Sequence, residues 1–208
     1  MQGWQALLGI LLFVYLIQVV APDITPMFYF DSPLLQPWVF VTSCFLHGSF
    51  MHLFFNCFAL LIFGPYLERE IGTRNFLMLF ILAGIAGNIT YYLTIVMGII
   101  PPIPALGASG GIFGILGALA VIKPNMRIFL FFIPMSIQTA AVVWFVLELV
   151  GSFNVASGIA SAAHLGGLIF GVLYGKLYRH KEKEASFDPG RDDFGLYENQ
   201  ENKTEDYF

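Results

Sequence analysis

The sequence predicts an all-α polytopic membrane protein, a bundle of six transmembrane helices with a short fourth helix that starts inside the membrane. Three observations carry that expectation. Of 208 residues, 57% are hydrophobic and only 12% charged, with a mean hydropathy of +0.74, whereas soluble domains carry about 25% charged residues. Apolar runs of helix length recur at Gly3 to Val20, His52 to Leu67, Phe76 to Met97, Ser109 to Ile122, Ile133 to Val150 and Ile159 to Leu177; a bilayer span takes about 20 residues. The ten basic residues fall between runs two and three (Arg69, Arg74), between four and five (Lys123, Arg127), or at and after the end of six (Lys176, Arg179, Lys181, Lys183, Arg191, Lys203). Six spans put all of them on one side, and since cytoplasmic loops collect Lys and Arg, both termini are expected in the cytoplasm.

For the first run the alternative is a cleaved signal peptide. No basic residue precedes it and Val20-Ala21-Pro22 makes a poor cleavage site, so it is read as a span. The second run carries His52 and Asn56, four apart and hence on one helical face. The fourth is short because IIPPIPALGA precedes it: Pro101, Pro102 and Pro104 lack the helix donor. That segment must descend into the bilayer as irregular chain, which is tolerated only when buried in protein or lining a cavity. Ser109 then stands at a helix amino terminus, where free N–H groups and the dipole favour an anion. The fifth run holds Glu148 near its outer end, read as a snorkelling or gate-lining group and not as an acid that orients a histidine. The sixth holds His164.

Ionisable and polar side chains inside a membrane default to function. Counting about 1.5 Å per residue from each helix's cytoplasmic charge puts Ser109, His164, Asn56 and His52 at roughly 21, 22, 18 and 24 Å, a shared level. Gly110, Gly114 and Gly117 on the fourth helix, and Gly167, Gly171 and Gly175 on the sixth, form small-residue faces that let backbones approach closely. If the two faces meet, Ser109 comes within reach of His164, and a base beside a hydroxyl is what activates it as a nucleophile. Each feature alone has a plainer reading: GxSG is common at helix contacts, and a lone histidine can serve an interhelical hydrogen bond. Packing does not require them to share a level.

The domain division expected is a membrane domain over 1–179 and a polar, disordered cytoplasmic tail over 180–208, rich in Asp, Glu and Asn. Cys44 and Cys57 lie at different depths, so no disulfide is expected, and two thiols do not make a zinc site. No metal, cofactor or nucleic-acid partner is implied.

From about Cys44 to Gly175 the chain resembles the rhomboid family of intramembrane serine proteases. HLFFN at His52 to Asn56 resembles that family's H-x-x-x-N, GASG at Gly107 to Gly110 its G-x-S-G, and AHLGGLIFG at Ala163 to Gly171 its A-H-x-x-G-x-x-x-G, in the same order. The resemblance implies a Ser-His dyad with Ser109 as nucleophile and His164 as base. It also implies an oxyanion hole of His52, Asn56 and the Ser109 N–H, an aromatic at Phe113 stacked on the histidine, and a structural histidine at His47. It further implies single-pass or polytopic membrane-protein substrates, and a prokaryotic cell membrane by its match to the basic six-helix core. Two departures stand out: Glu68-Arg69-Glu70 replaces the usual Glu-x-Arg, and Trp38 has no arginine beside it. The rival readings are an inactive relative acting as a membrane-protein binder or chaperone, which would lack the serine or the histidine, and a transporter, which would show paired broken helices.

Overall fold

The structure, a computed structural model, describes residues 2–31, 34–130, 132–151 and 160–186. The helices are α1 (Gly3–Val20), the single turn α2 (Val39–Thr42), the long α3 (Phe50–Val96), α4 (Ser109–Ile122), α5 (Ile137–Gly151) and α6 (Ser161–Ser186). Two strands, β1 (Arg127–Leu130) and β2 (Ile133–Ser136), pair antiparallel between α4 and α5. Two described helices, Gly3–Val20 and Phe50–Val96, are long and apolar enough to cross a membrane; α4 and α5 are apolar but shorter.

Ser49 starts α3, its hydroxyl accepting from the His52 N–H at 3.1 Å, as a helix cap does. At Gly72 the helix breaks: φ is +78° and ψ 159°, a conformation only glycine adopts without strain. The two limbs on either side correspond to the second and third apolar runs. Glu68, just before the break, accepts from the Gly3 and Trp4 N–H groups at 2.7 and 2.8 Å and from the Thr73 hydroxyl. It thus places an anion on the positive end of α1. In the Glu68-Arg69-Glu70 stretch, which departs from the family's usual Glu-x-Arg, Glu68 thus caps a helix, and Glu70 meets half-exposed Lys123 at 3.0 Å.

Helix α4 stands at the centre. Gly110 to Leu116 apart from Phe113, and Gly117 to Ala120, are buried, so α4 has little lipid face to fill and can be short. Leu60, Leu67, Phe76, Phe80, Ile115 and Leu119 form the fully buried core around it. Against α6 the contact is backbone on backbone: a Cβ on Gly167 would overlap the Gly110 carbonyl oxygen, and one on Gly171 that of Gly114. Lipid tails are as apolar as leucine, so in a membrane such close van der Waals contact, and not water exclusion, holds helices together.

The irregular descent ahead of α4 finds its hydrogen bonds inside the protein. Phe30 and Ala105 exchange N–H···O bonds of 2.8 and 2.9 Å, Gly107 N donates to Ser43 O at 2.9 Å, and the Tyr91 hydroxyl donates to Ile103 O at 2.8 Å. Buried Asn88 donates to Phe40 O and Ser43 Oγ at 2.8 and 2.9 Å, tying the short α2 segment to α3.

Helix bounds differ from the apolar runs in two places. The fifth run was read as helical from Ile133, but Ile133 to Ser136 is a strand, with Arg127 opposite Ser136 and Phe129 opposite Pro134. Pro134 has no N–H to give a helix, and Ser136 Oγ accepts from Thr139 N at 3.1 Å, so α5 starts after that cap. Helix α6 continues past Arg179 to Ser186. Both thiols are free. Residues 152–159, between α5 and α6, and most of the expected polar tail, from Phe187 onward, lie outside the described residues.

Candidate active site

Ser109 opens α4, and Gly107 two residues earlier has φ +139°. That turn leaves no room for a side chain: a Cβ on Gly107 would lie 2.8 Å from both Cε1 and Nε2 of His52 and 3.5 Å from Ser109 Oγ. The imidazole of His52 therefore packs on bare backbone beside the serine.

Ser109 Oγ and His164 Nε2 are 2.7 Å apart. The close α4–α6 approach permits this, because Gly110 follows the serine and Gly167 follows the histidine by three residues, on the same face. The His164 ring stacks on Phe113 with centroids 4.5 Å apart and planes 12° from parallel; Phe113 in turn meets Trp144 of α5 edge-on. Ser109, His164, His52 and Asn56 all line one cavity of about 650 Å³, walled also by Tyr91 and the Pro101 to Leu106 descent. Asn56 Nδ2 donates one hydrogen to His52 O at 2.9 Å, and an amide carries two. All four polar residues assigned to one level by sequence thus line one cavity, together with Phe113; Gly107 packs on His52, and Gly110, Gly167 and Gly171 belong to the α4–α6 backbone contact.

His47 is buried in the loop ahead of α3, its ring edge-on to His52 at 5.1 Å and its backbone N–H donating to Gln18 Oε1 at 2.9 Å. Burial and then the neighbouring His52 hold its ring down to about 4. It acts as a neutral prop behind His52.

Glu148 corrects the sequence reading. Its Oε1 lies 3.0 Å from His164 Nδ1, with the two side chains 15% and 12% exposed; it neither snorkels nor stands apart from the histidine. A lone acid in an apolar helix was the available signal. Its partner was hidden because sequence spacing fixes height along α5 and not the rotation of α5 against α6.

An acceptor nitrogen beside a hydroxyl, at a helix start whose free N–H groups favour negative charge, can take a proton and stabilise the resulting anion. The fold and cavity define a helical protein with a serine–histidine pair set into the middle of its bundle. The Rhomboid domain family model matches residues 34–181, and the chain belongs to the rhomboid family, membrane-embedded proteins that are generally intramembrane serine proteases. It is 38% identical over 135 residues to rhomboid protease GluP of Bacillus subtilis, covering 64% of this chain and 24% of that protein. It is 36% identical over 146 residues to the mitochondrial rhomboid protein 1 of Saccharomyces cerevisiae, 65% of this chain and 40% of that protein. With rhomboid protease GlpG of Haemophilus influenzae it shares 32% over 143 residues, 67% of this chain and 69% of that protein. The chain thus spans between 24% and 40% of the length of the first two relatives.

Proposed function

We propose that this chain is a serine endopeptidase that cleaves other membrane proteins in or beside a transmembrane segment. The observation that carries the reading is the 2.7 Å contact between Ser109 Oγ and His164 Nε2 at the start of α4, on a cavity wall. His164 takes the Ser109 proton as Oγ bonds to the scissile carbonyl carbon, and the carbonyl oxygen becomes an oxyanion. Collapse of that intermediate breaks the C–N bond, with His164 returning the proton to the leaving amine. Water, deprotonated by His164, then hydrolyses the acyl-enzyme and frees Ser109. The Ser109 N–H, the His52 ring and the second Asn56 amide hydrogen are the oxyanion donors, each worth about 100-fold to 1000-fold in rate.

The membrane arrangement proposed with it has α1, the two limbs of α3, α4, α5 and α6 as six spans over 1–179. Both termini and a polar tail over 180–208 are cytoplasmic, and the host is a prokaryotic cell membrane. A peptide bond within a helix is hidden, so substrates carry small or helix-breaking residues that let a strand form in the cavity.

The test is cleavage of labelled single-span substrates by purified protein in liposomes, with labelling of Ser109 by a serine-directed phosphonate. Ser109→Ala and His164→Ala each abolish cleavage while the thermal transition is retained. A wild-type protein that cleaves nothing across a broad panel and resists the phosphonate sinks the reading.

A further inference from the structure

We propose that Glu148 is a positioning residue for His164, so that the reacting unit is a serine, a histidine and a glutamate contributed by three helices. This rests on the proteolytic reading above. Nε2 of His164 faces Ser109 Oγ at 2.7 Å. For Nε2 to accept that proton, the neutral ring carries its own hydrogen on Nδ1. Nδ1 is the atom 3.0 Å from Glu148 Oε1.

Three further observations support the assignment. The stack on Phe113 fixes the plane of the ring and leaves rotation within that plane, which a carboxylate at Nδ1 restrains. The Ser161 hydroxyl, at the start of α6, is hydrogen-bonded to the same carboxylate, so Glu148 is itself held. Both side chains are nearly shielded from water, which weakens screening of their attraction. The contact has ion-pair length, while Nδ1 lacks an aligned hydrogen-bond partner; a small turn of either group as charge develops on the ring aligns it.

Among the described residues, the other titratable groups at the cavity are His52 from α3, with His47 beside it, and Tyr91. None of these favours an imidazolium. Glu148, from α5, is the anion placed at Nδ1, where it stabilises the imidazolium formed during attack.

The experiment measures kcat and KM against pH for full-length wild type, Glu148→Gln and Glu148→Asp in liposomes, with a fluorogenic transmembrane substrate. Glu148→Gln is expected to lower kcat about 10-fold to 100-fold with KM little changed, less than the ~10⁴-fold seen for a fully buried triad acid. Its acid-limb midpoint moves to lower pH, because a neutral neighbour no longer favours the protonated ring. Glu148→Asp keeps the wild-type midpoint and recovers part of the rate, and it decides the matter alone if the glutamine variant does not fold. An unchanged rate in Glu148→Gln, or an acid limb that stays in place while activity falls, overturns the proposal and leaves the serine–histidine reading standing. A wild-type protein with no activity removes both.

Discussion

Replacing Gly107 by alanine tests how the cavity is held open beside Ser109. The new Cβ would lie 2.8 Å from two ring atoms of His52, and ordinary carbon contacts begin near 3.5 Å, so the imidazole must retreat by about 0.7 Å. Alanine at φ +139° adds about 1–3 kcal/mol of backbone strain. On the proposed mechanism, the retreat carries an oxyanion donor away from where the carbonyl oxygen lands. A misplacement of about 1 Å costs roughly 100-fold in rate, the same order as losing the donor outright. The assay is initial cleavage rate in liposomes for Gly107→Ala, His52→Ala and the double variant, with thermal denaturation alongside. The two single variants should fall by similar factors and the double variant little further, because both act through one ring. A Gly107→Ala protein within about 2-fold of wild type, or losses that multiply in the double variant, would refute the reasoning.

Two other outcomes follow from the same contacts. Gly171→Val sets a branched side chain against the Gly114 carbonyl; overpacking costs about 1–3 kcal/mol or more, so the thermal midpoint falls and phosphonate labelling of Ser109 is lost at temperatures where wild type still reacts. His47, held near 4 when folded against about 6.5 when unfolded, makes stability fall as pH drops from about 6.5 toward 4, because the unfolded chain takes up a proton the folded one refuses, up to about 3 kcal/mol across that window. His47→Gln should flatten that pH dependence of the melting midpoint; parallel curves for the two proteins would contradict it.

The features legible in the sequence were those that depend on one helix at a time. Gly3–Val20 and Ser109–Ile122 appear with the bounds of their apolar runs, because burial and propensity act locally along each helix. The common height of Ser109, His164, Asn56 and His52 followed from a rigid rise per residue, and the glycines named which faces touch. What stayed hidden depends on rotation and on pairing. IPMS, the opening of the run from Ile133, is apolar enough to pass as the start of a span, yet its pairing with Arg127–Leu130 makes it a strand. Glu148 was placed at the right end of its helix and on the wrong azimuth. Glu68 stood out only as part of a departure from the family pattern, and only the folded chain brings the start of α1 to it.

Helix α5 buries only Ile137, Ala140 and Ala141 among its residues, all near its start, where the hairpin delivers it. Displacement is therefore cheapest at the opposite end. From Ile137 to Glu148 the axis rises about 16 Å, so a tilt of about 10° about the buried start carries the carboxylate about 3 Å. That distance is as large as the contact it makes with His164. On the roles proposed above for His164 and Glu148, the wall that flanks the cavity and the charge that steadies the base are one lever arm, so an outward tilt of α5 that widened the cavity would also draw the carboxylate off the base.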